Sequence, residues 1–165
     1  MAFFLQGNIE MSIDILSVAP SFKAVHHLNE TFSLDDIKGK WIVLYFYPKD
    51  NTSGCTAEAC DFRDSMESLQ SLNTMIIGIS PDSVKSHQKF INDHQLNFML
   101  LSDEDKSICT AYGVWVEKSM YGRKYMGVER STFIIDPQGI IQQKYSKVKV
   151  PGHVSEISNW LKSHQ

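Results

Sequence analysis

The chain has few cysteines, no strong excess of charge and no long apolar run, and each shortage excludes a class of protein. Three cysteines among 165 residues are too few and too uneven for the dense disulfide framework of a small secreted domain. A formal net charge of −3 provides no basic surface for nucleic acid or for an anionic membrane. No apolar run approaches the roughly 18 residues of a membrane-spanning helix. We therefore expect no nucleic-acid partner and no membrane partner.

The amino terminus also lacks the marks of a secretory signal. The apolar start at residues 2–5 is brief and has no basic segment before it, whereas a signal peptide has a basic region and an apolar stretch of about 7–15 residues. We interpret residues 1–11 as a tail and expect a cytoplasmic protein. No linker rich in Pro, Gly and Ser divides the chain, so we expect one domain over residues 1–165.

The apolar pattern predicts strands that alternate with helices. Residues 41–47 and 74–79 are almost continuously apolar, which is typical of strands buried on both faces. Between them, apolar or small residues recur at the spacing of one helix face, at positions 55, 59, 62, 66 and 69. Further helices are predicted over 83–95, 104–112 and 153–163, and further strands over 98–101, 132–136 and 140–145.

This order of elements predicts an α/β protein with a thioredoxin-like fold. Alternating βαβ units favour a central sheet with a parallel portion, flanked by helices. The late hairpin at 132–145 adds antiparallel strands, so the sheet is mixed. Residues 20–40 are expected to form a short β-hairpin at one edge. In the helix over 83–95 we expect Val84, Phe90 and Ile91 to face inward.

A polar loop with one glycine follows the first predicted core strand and leads into the first helix. It places Cys55 in the first turn of that helix, beyond the carboxyl end of a central strand, where α/β sheets often hold ligand sites. Free amide groups and the positive end of the helix dipole favour a thiolate there. Gly54 would let the backbone pass close to a small substrate. The pattern indicates a reactive thiol, although the first apolar residue of a helix's inner face has the same position.

The segment from Pro48 to Cys60 resembles the active-site segment of a known family. Its Pro48-x-x-x-Thr52-x-x-Cys55 pattern resembles the peroxiredoxin active site, and the run through Cys60 is similar to the subgroup of bacterioferritin comigratory protein and peroxiredoxin Q. This subgroup often has proline where Ser53 stands, a change that we expect to alter loop stiffness more than chemistry. The similarity covers roughly residues 12–163 and continues at 78–81, 112–115, 127–133 and 152–153.

The resemblance implies a peroxidatic role for Cys55, whose thiolate would attack a hydroperoxide and become a sulfenic acid. It implies that the Thr52 hydroxyl, the Arg130 guanidinium and the Cys55 amide bind the peroxide, because charge developing along the O–O bond needs aimed donors. Pro48 would shield the pocket. A lone threonine before a helix is usually a cap and a lone arginine is usually solvated, so only their occurrence together with Cys55 supports these roles.

Glu58 lies three residues after Cys55, on the same side of the predicted helix. The sequence allows two interpretations of this residue. Glu58 would either orient Arg130 or be a carboxylate on the protein surface.

Cys60 is the candidate resolving cysteine, which would attack the sulfenic acid and form a Cys55–Cys60 disulfide. Five helical residues separate two Cα atoms by about 8.6 Å, whereas a disulfide needs about 4.4–6.8 Å. The first helical turn must therefore unwind before the bridge forms. If Cys60 instead only fills the helix surface, resolution would need Cys109, another chain or an external thiol.

No metal site and no prosthetic group are expected. The six histidines have no ligand spacing, and Cys55 and Cys60 lack a second pair that would complete a zinc site. Residues 103–105 are typical of an acidic helix start. Cys109 lies among apolar residues and is interpreted as core filler.

The predicted function is a thiol peroxidase that reduces hydrogen peroxide and organic hydroperoxides. Thioredoxin or a similar dithiol would regenerate it, and a monomer or weak homodimer would suffice because resolution occurs within one helix. The absence of a Cys-x-x-Cys motif argues against a general disulfide oxidoreductase. The remaining alternative is a redox-sensing or chaperone-like module without turnover, which would not need Thr52 and Arg130 to activate a leaving oxygen.

Overall fold

A computed structural model describes residues 13–165, so the tail expected at residues 1–11 lies outside the described residues. Within this range, no helix is both long and apolar enough to cross a bilayer. The strands are β1 (Lys23–His26), β2 (Thr31–Ser33), β3 (Trp41–Phe46), β4 (Thr74–Ser80), β5 (Met99–Ser102), β6 (Trp115–Met120), β7 (Arg123–Val128), β8 (Ser131–Ile135) and β9 (Ile141–Tyr145). The helices are α1 (Ser53–Asp64), α2 (Met66–Ser71), α3 (Val84–His94), α4 (Ser107–Ala111) and α5 (His153–His164).

A mixed sheet forms the centre of the fold, with the strand order β2-β1-β5-β4-β3-β8-β9. β3, β4 and β5 are parallel neighbours, because the helices between them provide the crossover connections that parallel strands need. β8 and β9 continue the sheet antiparallel on the other side of β3. β1 and β2 form an antiparallel hairpin at the opposite edge. The predicted thioredoxin-like α/β fold with an amino-terminal hairpin is confirmed.

β3 contributes to both layers of the core. Val43 and Tyr45 pack into the layer that includes Cys55 and the inner faces of α1, α2, α3 and α5. Leu44 and Phe46 pack into the opposite layer. All four strand residues are at most 1% exposed, and successive side chains of a strand point to opposite faces. Burial on both faces therefore explains the continuous apolar run.

Strand pairing brings two distant segments to one edge of the sheet. Phe46 at the end of β3 pairs with Ser131 at the start of β8. The loop after β3 enters α1 at this edge, and Arg130 directly precedes β8. Cys55 and Arg130 are 75 positions apart in the chain, yet the antiparallel register of β3 and β8 makes them neighbours.

The predicted helices differ from the structure in three places. The helix predicted over 104–112 begins only at Ser107, because the backbone of Lys106 is left-handed (φ 59°). The face predicted from 55 to 69 is buried, but it belongs to two helices, because the backbone leaves helical geometry at Ser65 (φ −99°, ψ 1°). The apolar spacing continues across this break and so does not reveal it. In α3, Phe90 is buried as predicted, but the second buried residue is His87, and Val84 and Ile91 are only half-buried.

The hairpin formed by β6 and β7 is absent from the sequence prediction. It is a separate two-stranded sheet, and most of its side chains are exposed or half-buried. Without a buried face these strands lack the alternating apolar pattern on which strand prediction depends. The turn at Tyr121 and Gly122 has positive φ angles of 50° and 77°, as a tight two-residue hairpin turn requires.

Candidate active site

The first turn of α1 positions Cys55. Thr52 has extended backbone angles at the N-cap position (φ −86°, ψ 155°), so the helical turn begins at Ser53 and contains the cysteine. The Cys55 side chain is 1% exposed. The N–H groups of a first turn have no partner within the helix, and the dipole is positive there. The predicted position of Cys55 in the first turn of a helix is confirmed.

Arg130 is the direct partner of the Cys55 sulfur. Its Nη2 donates a hydrogen bond to Cys55 Sγ at 3.2 Å, and its Nη1 donates to Glu58 Oε1 at 2.7 Å. The arginine side chain is 17% exposed, and such a partly buried cation stabilises a neighbouring anion more strongly than a solvated one. The alternative of a solvated Arg130 is therefore wrong. The structure brings Cys55, Arg130 and Glu58 together.

Glu58 is a buried carboxyl group, so the alternative of a surface carboxylate is wrong. Its Oε2 has no hydrogen-bond partner among the protein atoms of residues 13–165. Burial raises the pKa of Glu58 to about 7, and the charge and hydrogen bond of Arg130 oppose that rise only in part. Near neutral pH, Glu58 is therefore only partly ionised. Only its ionised form offsets the positive charge of Arg130, which also acts on Cys55.

The Thr52 hydroxyl is exposed and bonds within its own loop. Its Oγ1 donates to the Lys49 carbonyl oxygen at 2.8 Å and does not cap α1. Within the described chain, this hydroxyl makes no hydrogen bond with Cys55 Sγ. Because its proton is engaged, its lone pairs remain free to accept a hydrogen bond, such as one from the O–H of a hydroperoxide.

Pro48 and Gly54 flank the loop that carries Thr52. Pro48 is exposed at the start of the loop, and its shielding role stays a prediction. A β-carbon on Gly54 would lie 3.4 Å from Arg130 Nη2. Gly54 thus lies beside the guanidinium, and a side chain at this position would contact Arg130.

The three cysteines occupy different environments. Cys60 is a free, half-buried thiol on α1, and this helix is unbroken between Cys55 and Cys60. The helical separation of about 8.6 Å therefore applies, and the two sulfurs cannot bond in this conformation. Cys109 is a buried thiol of α4, where burial and the neighbouring Asp103 raise its pKa well above the usual range. That environment agrees with its interpretation as core filler.

An open groove of about 530 Å³ lies beside Arg130. The unpredicted hairpin contributes Val116 and Lys118 to its lining, and the loop after β9 contributes Lys147 and Val148. Burial, and then the charge of Arg130, lower the pKa of Lys118. The groove therefore combines apolar side chains, lysines and the carboxylates of Glu117 and Glu129 next to the arginine that bonds the sulfur.

Sequence reasoning missed a charged cluster behind the active-site loop. Asp50 bonds to Tyr47 Oη at 2.6 Å, to Ser86 Oγ at 2.8 Å and to His87 Nδ1 at 2.7 Å. In the sequence, His87 is one of six scattered histidines, and only the fold reveals its partner. The one available signal is the place of Asp50 in the loop that precedes Cys55.

Comparison with known proteins gives a consistent result over most of the chain. Residues 15–144 match the model of the AhpC/TSA family. The chain is 51% identical over 147 residues to a putative peroxiredoxin bcp of Coxiella burnetii, covering 89% of this chain and 97% of that relative. It is also 51% identical over 152 residues to peroxiredoxin Bcp of Bacillus subtilis, covering 92% and 97% of the two chains.

Solved structures agree with these sequence relatives. A Xanthomonas campestris bacterioferritin comigratory protein, described by its alkyl peroxide reduction activity, superposes with a TM-score of 0.83 at 40% identity, covering 87% of this chain and 91% of that one. Xylella fastidiosa PrxQ superposes with a TM-score of 0.85 at 37% identity, covering 92% and 98%.

Replacing Glu58 by glutamine should change how stability depends on pH. The folded state holds the Glu58 proton up to a pKa of about 7, whereas an unfolded glutamate releases it near its ordinary value of 4.5. Between these values the folded state binds more protons than the unfolded state, so the free energy of unfolding falls as pH rises. The difference between the two pKa values corresponds to roughly 3 kcal/mol.

Urea unfolding at pH 5 and pH 8 measures this effect, in a Cys55→Ser background that removes the titration of the thiol. Glu58→Gln should abolish most of the loss of stability between the two pH values. Glu67→Gln changes an exposed carboxylate of α2 and should leave that loss unchanged. The same pH dependence with and without Glu58 would contradict the assignment.

Proposed function

Because this chain belongs to the AhpC/TSA family, as a peroxiredoxin of the bacterioferritin comigratory protein and peroxiredoxin Q subgroup, we propose that its thiol peroxidase reaction proceeds through Cys55. The observation that carries this assignment is the hydrogen bond from Arg130 to Cys55 Sγ at 3.2 Å. An inert core cysteine does not need a guanidinium aimed at its sulfur. A redox sensor without turnover would not need one that also reaches a substrate groove.

The first chemical step is attack of the Cys55 thiolate on the terminal oxygen of a hydroperoxide. The O–O bond breaks, the sulfur becomes a sulfenic acid, and the leaving alkoxide or hydroxide takes a proton to become alcohol or water. Arg130 holds the thiolate and stabilises the charge that develops on the leaving oxygen. Thr52 Oγ1, whose proton is bonded to Lys49, accepts the peroxide O–H. Together these two groups orient the O–O bond toward the sulfur.

The groove beside Arg130 supports organic hydroperoxides as substrates in addition to hydrogen peroxide. Val116 and Val148 in its lining supply apolar contact for an alkyl group whose hydroperoxide end reaches Arg130. The alkyl peroxide reduction activity described for the Xanthomonas campestris relative is in keeping with this choice.

The second step is attack of Cys60 on the Cys55 sulfenic acid. A disulfide forms and water leaves. Because the helical distance of about 8.6 Å exceeds disulfide reach, the turn between the two cysteines unwinds first. Glu58 lies in that turn, so its buried carboxyl leaves the Arg130 contact as the turn opens. The unwinding therefore dismantles the thiolate site that performed the first step.

A thiol reductant then restores the two cysteines. We infer that thioredoxin or a similar dithiol attacks the disulfide, since the unwound segment presents it to a partner. The reduced segment refolds into α1. Resolution within one helix requires no second copy, so a monomer or a weak homodimer suffices, and a cytoplasmic location with its thioredoxin pool suits this cycle.

Separate replacement of the two cysteines should separate the two steps. Cys55→Ser should abolish peroxide consumption, because it removes the nucleophile. Cys60→Ser should still consume about one equivalent of peroxide per chain but should lose turnover with thioredoxin, thioredoxin reductase and NADPH. Cys109→Ser, the matched control, should retain turnover. Unchanged turnover in Cys55→Ser would refute the central assignment.

Amide hydrogen exchange should report the unwinding directly. In the disulfide form, amides of residues 56–60 should exchange faster than in the reduced form by at least about tenfold, because helical hydrogen bonds, beginning with that from Thr56 N to Thr52 O, protect them only in the reduced state. Peroxide-treated Cys60→Ser cannot form the bridge and should keep the reduced pattern. The amides of α5 provide an internal reference. Equal protection of residues 56–60 in the two redox states would rule out unwinding.

A further inference from the structure

We propose that a cluster of the buried Asp50 and His87 with the half-buried Asp82 positions the Thr52 hydroxyl for peroxide binding, through the peptide group that joins Lys49 to Asp50. The proposal deepens the function above and rests on the role of Cys55 given there. The three cluster residues touch neither the sulfur nor the peroxide. They act through the loop and are positioning residues.

The Asp50 carboxylate has partners for both of its oxygens. Oδ1 accepts from Tyr47 Oη at 2.6 Å, Oδ2 accepts from Ser86 Oγ at 2.8 Å, and Oδ2 lies 2.7 Å from His87 Nδ1. The Asp50 and His87 side chains are 2% and 0% exposed. These contacts fix the active-site loop to the end of β3 and to the first turns of α3.

Hydrogen bonding also fixes the orientation of the His87 ring. Its Nε2 lies 2.9 Å from the Leu101 carbonyl oxygen, which can only accept, so Nε2 donates, and its Nδ1 lies 2.7 Å from Asp50 Oδ2. A buried hydrogen-bonded pair of this kind is costly to break from one side, because the remaining polar group has no partner. Asp50 is thereby held in one position.

One peptide group transmits this fixed position to Thr52. The N–H of Asp50 donates to Asp82 Oδ2 at 2.8 Å, and Asp82 Oδ2 also accepts from Ser80 Oγ at 2.6 Å. The carbonyl oxygen of the same planar peptide belongs to Lys49 and accepts the Thr52 hydroxyl at 2.8 Å. Asp82 therefore sets the plane of the group that orients the hydroxyl. Rotation of this plane would turn the Thr52 lone pairs away from the peroxide.

The same three side chains place their ligand atoms within 4.8 Å of one another, a spacing compatible with a metal ion. A metal ion would have to displace the hydrogen bonds that Ser86 and Tyr47 donate to Asp50. Both Asp50 oxygens already have partners, and the arrangement therefore favours positioning over metal binding.

The test compares two reactions of Cys55 that make different demands on Thr52. Oxidation by hydrogen peroxide needs the hydroxyl as an acceptor, whereas alkylation by iodoacetamide needs only an accessible thiolate. Asp82→Ala removes the acceptor for the Asp50 N–H. It should lower the rate constant for oxidation of Cys55 by hydrogen peroxide by about tenfold or more. The rate constant for alkylation should stay within about twofold of the wild-type value. Asp82→Asn keeps an oxygen acceptor and should restore most of the peroxide rate.

Two further variants keep the test independent of folding defects. Ser86→Ala removes one hydrogen bond to Asp50 and should give a smaller loss of the same kind. Asp136→Asn alters a half-buried carboxylate that holds the β8–β9 turn and should leave both rates unchanged. Parallel loss of both rates in Asp82→Ala, or loss of neither, would overturn the proposal. A wild type that does not react with peroxide would instead refute the role of Cys55.

Discussion

The hydrogen bonds of the Arg130 guanidinium are the interactions on which the rest of the site depends. One nitrogen holds the Cys55 sulfur and the other holds the Glu58 carboxyl. The fold makes this contact possible, because the antiparallel register of β3 and β8 puts Arg130 beside the start of α1. In the proposed mechanism, both the activation of the thiol and the stabilisation of the leaving oxygen follow from that one placement.

In the proposed mechanism, the groups that activate Cys55 also oppose the completion of its cycle. α1 provides the helix start at which Cys55 lies, yet the same helix keeps Cys60 out of bonding distance. Glu58 orients Arg130 from the turn between the two cysteines, and burial makes its charged form costly, as its raised pKa shows. Unwinding releases this carboxylate to water. Part of the cost of opening the helix is therefore offset by the better solvation of Glu58.

The sequence predicted the features that depend on residues close together in the chain. It did not predict the features that depend on contacts made only in the folded protein. The continuous apolar runs predicted β3 and β4, and the loop pattern placed Cys55 at a helix start. The helix break at Ser65 was not predicted because the apolar spacing continues across it. The exposed hairpin that begins at Trp115 was not predicted because it has no buried face that would give an alternating apolar pattern. Glu58 remained ambiguous until its partner was located, and His87 had no visible role at all.

The rate constant for oxidation of Cys55 by hydrogen peroxide in Arg130→Lys, measured in a single turnover by stopped flow, tests the central claim most directly. A lysine keeps the charge but cannot bond the sulfur and Glu58 at once through a planar fork. The account predicts a decrease of about 100-fold or more, with the helical content of α1 preserved in the circular dichroism spectrum. A rate constant within about twofold of the wild-type value would contradict it.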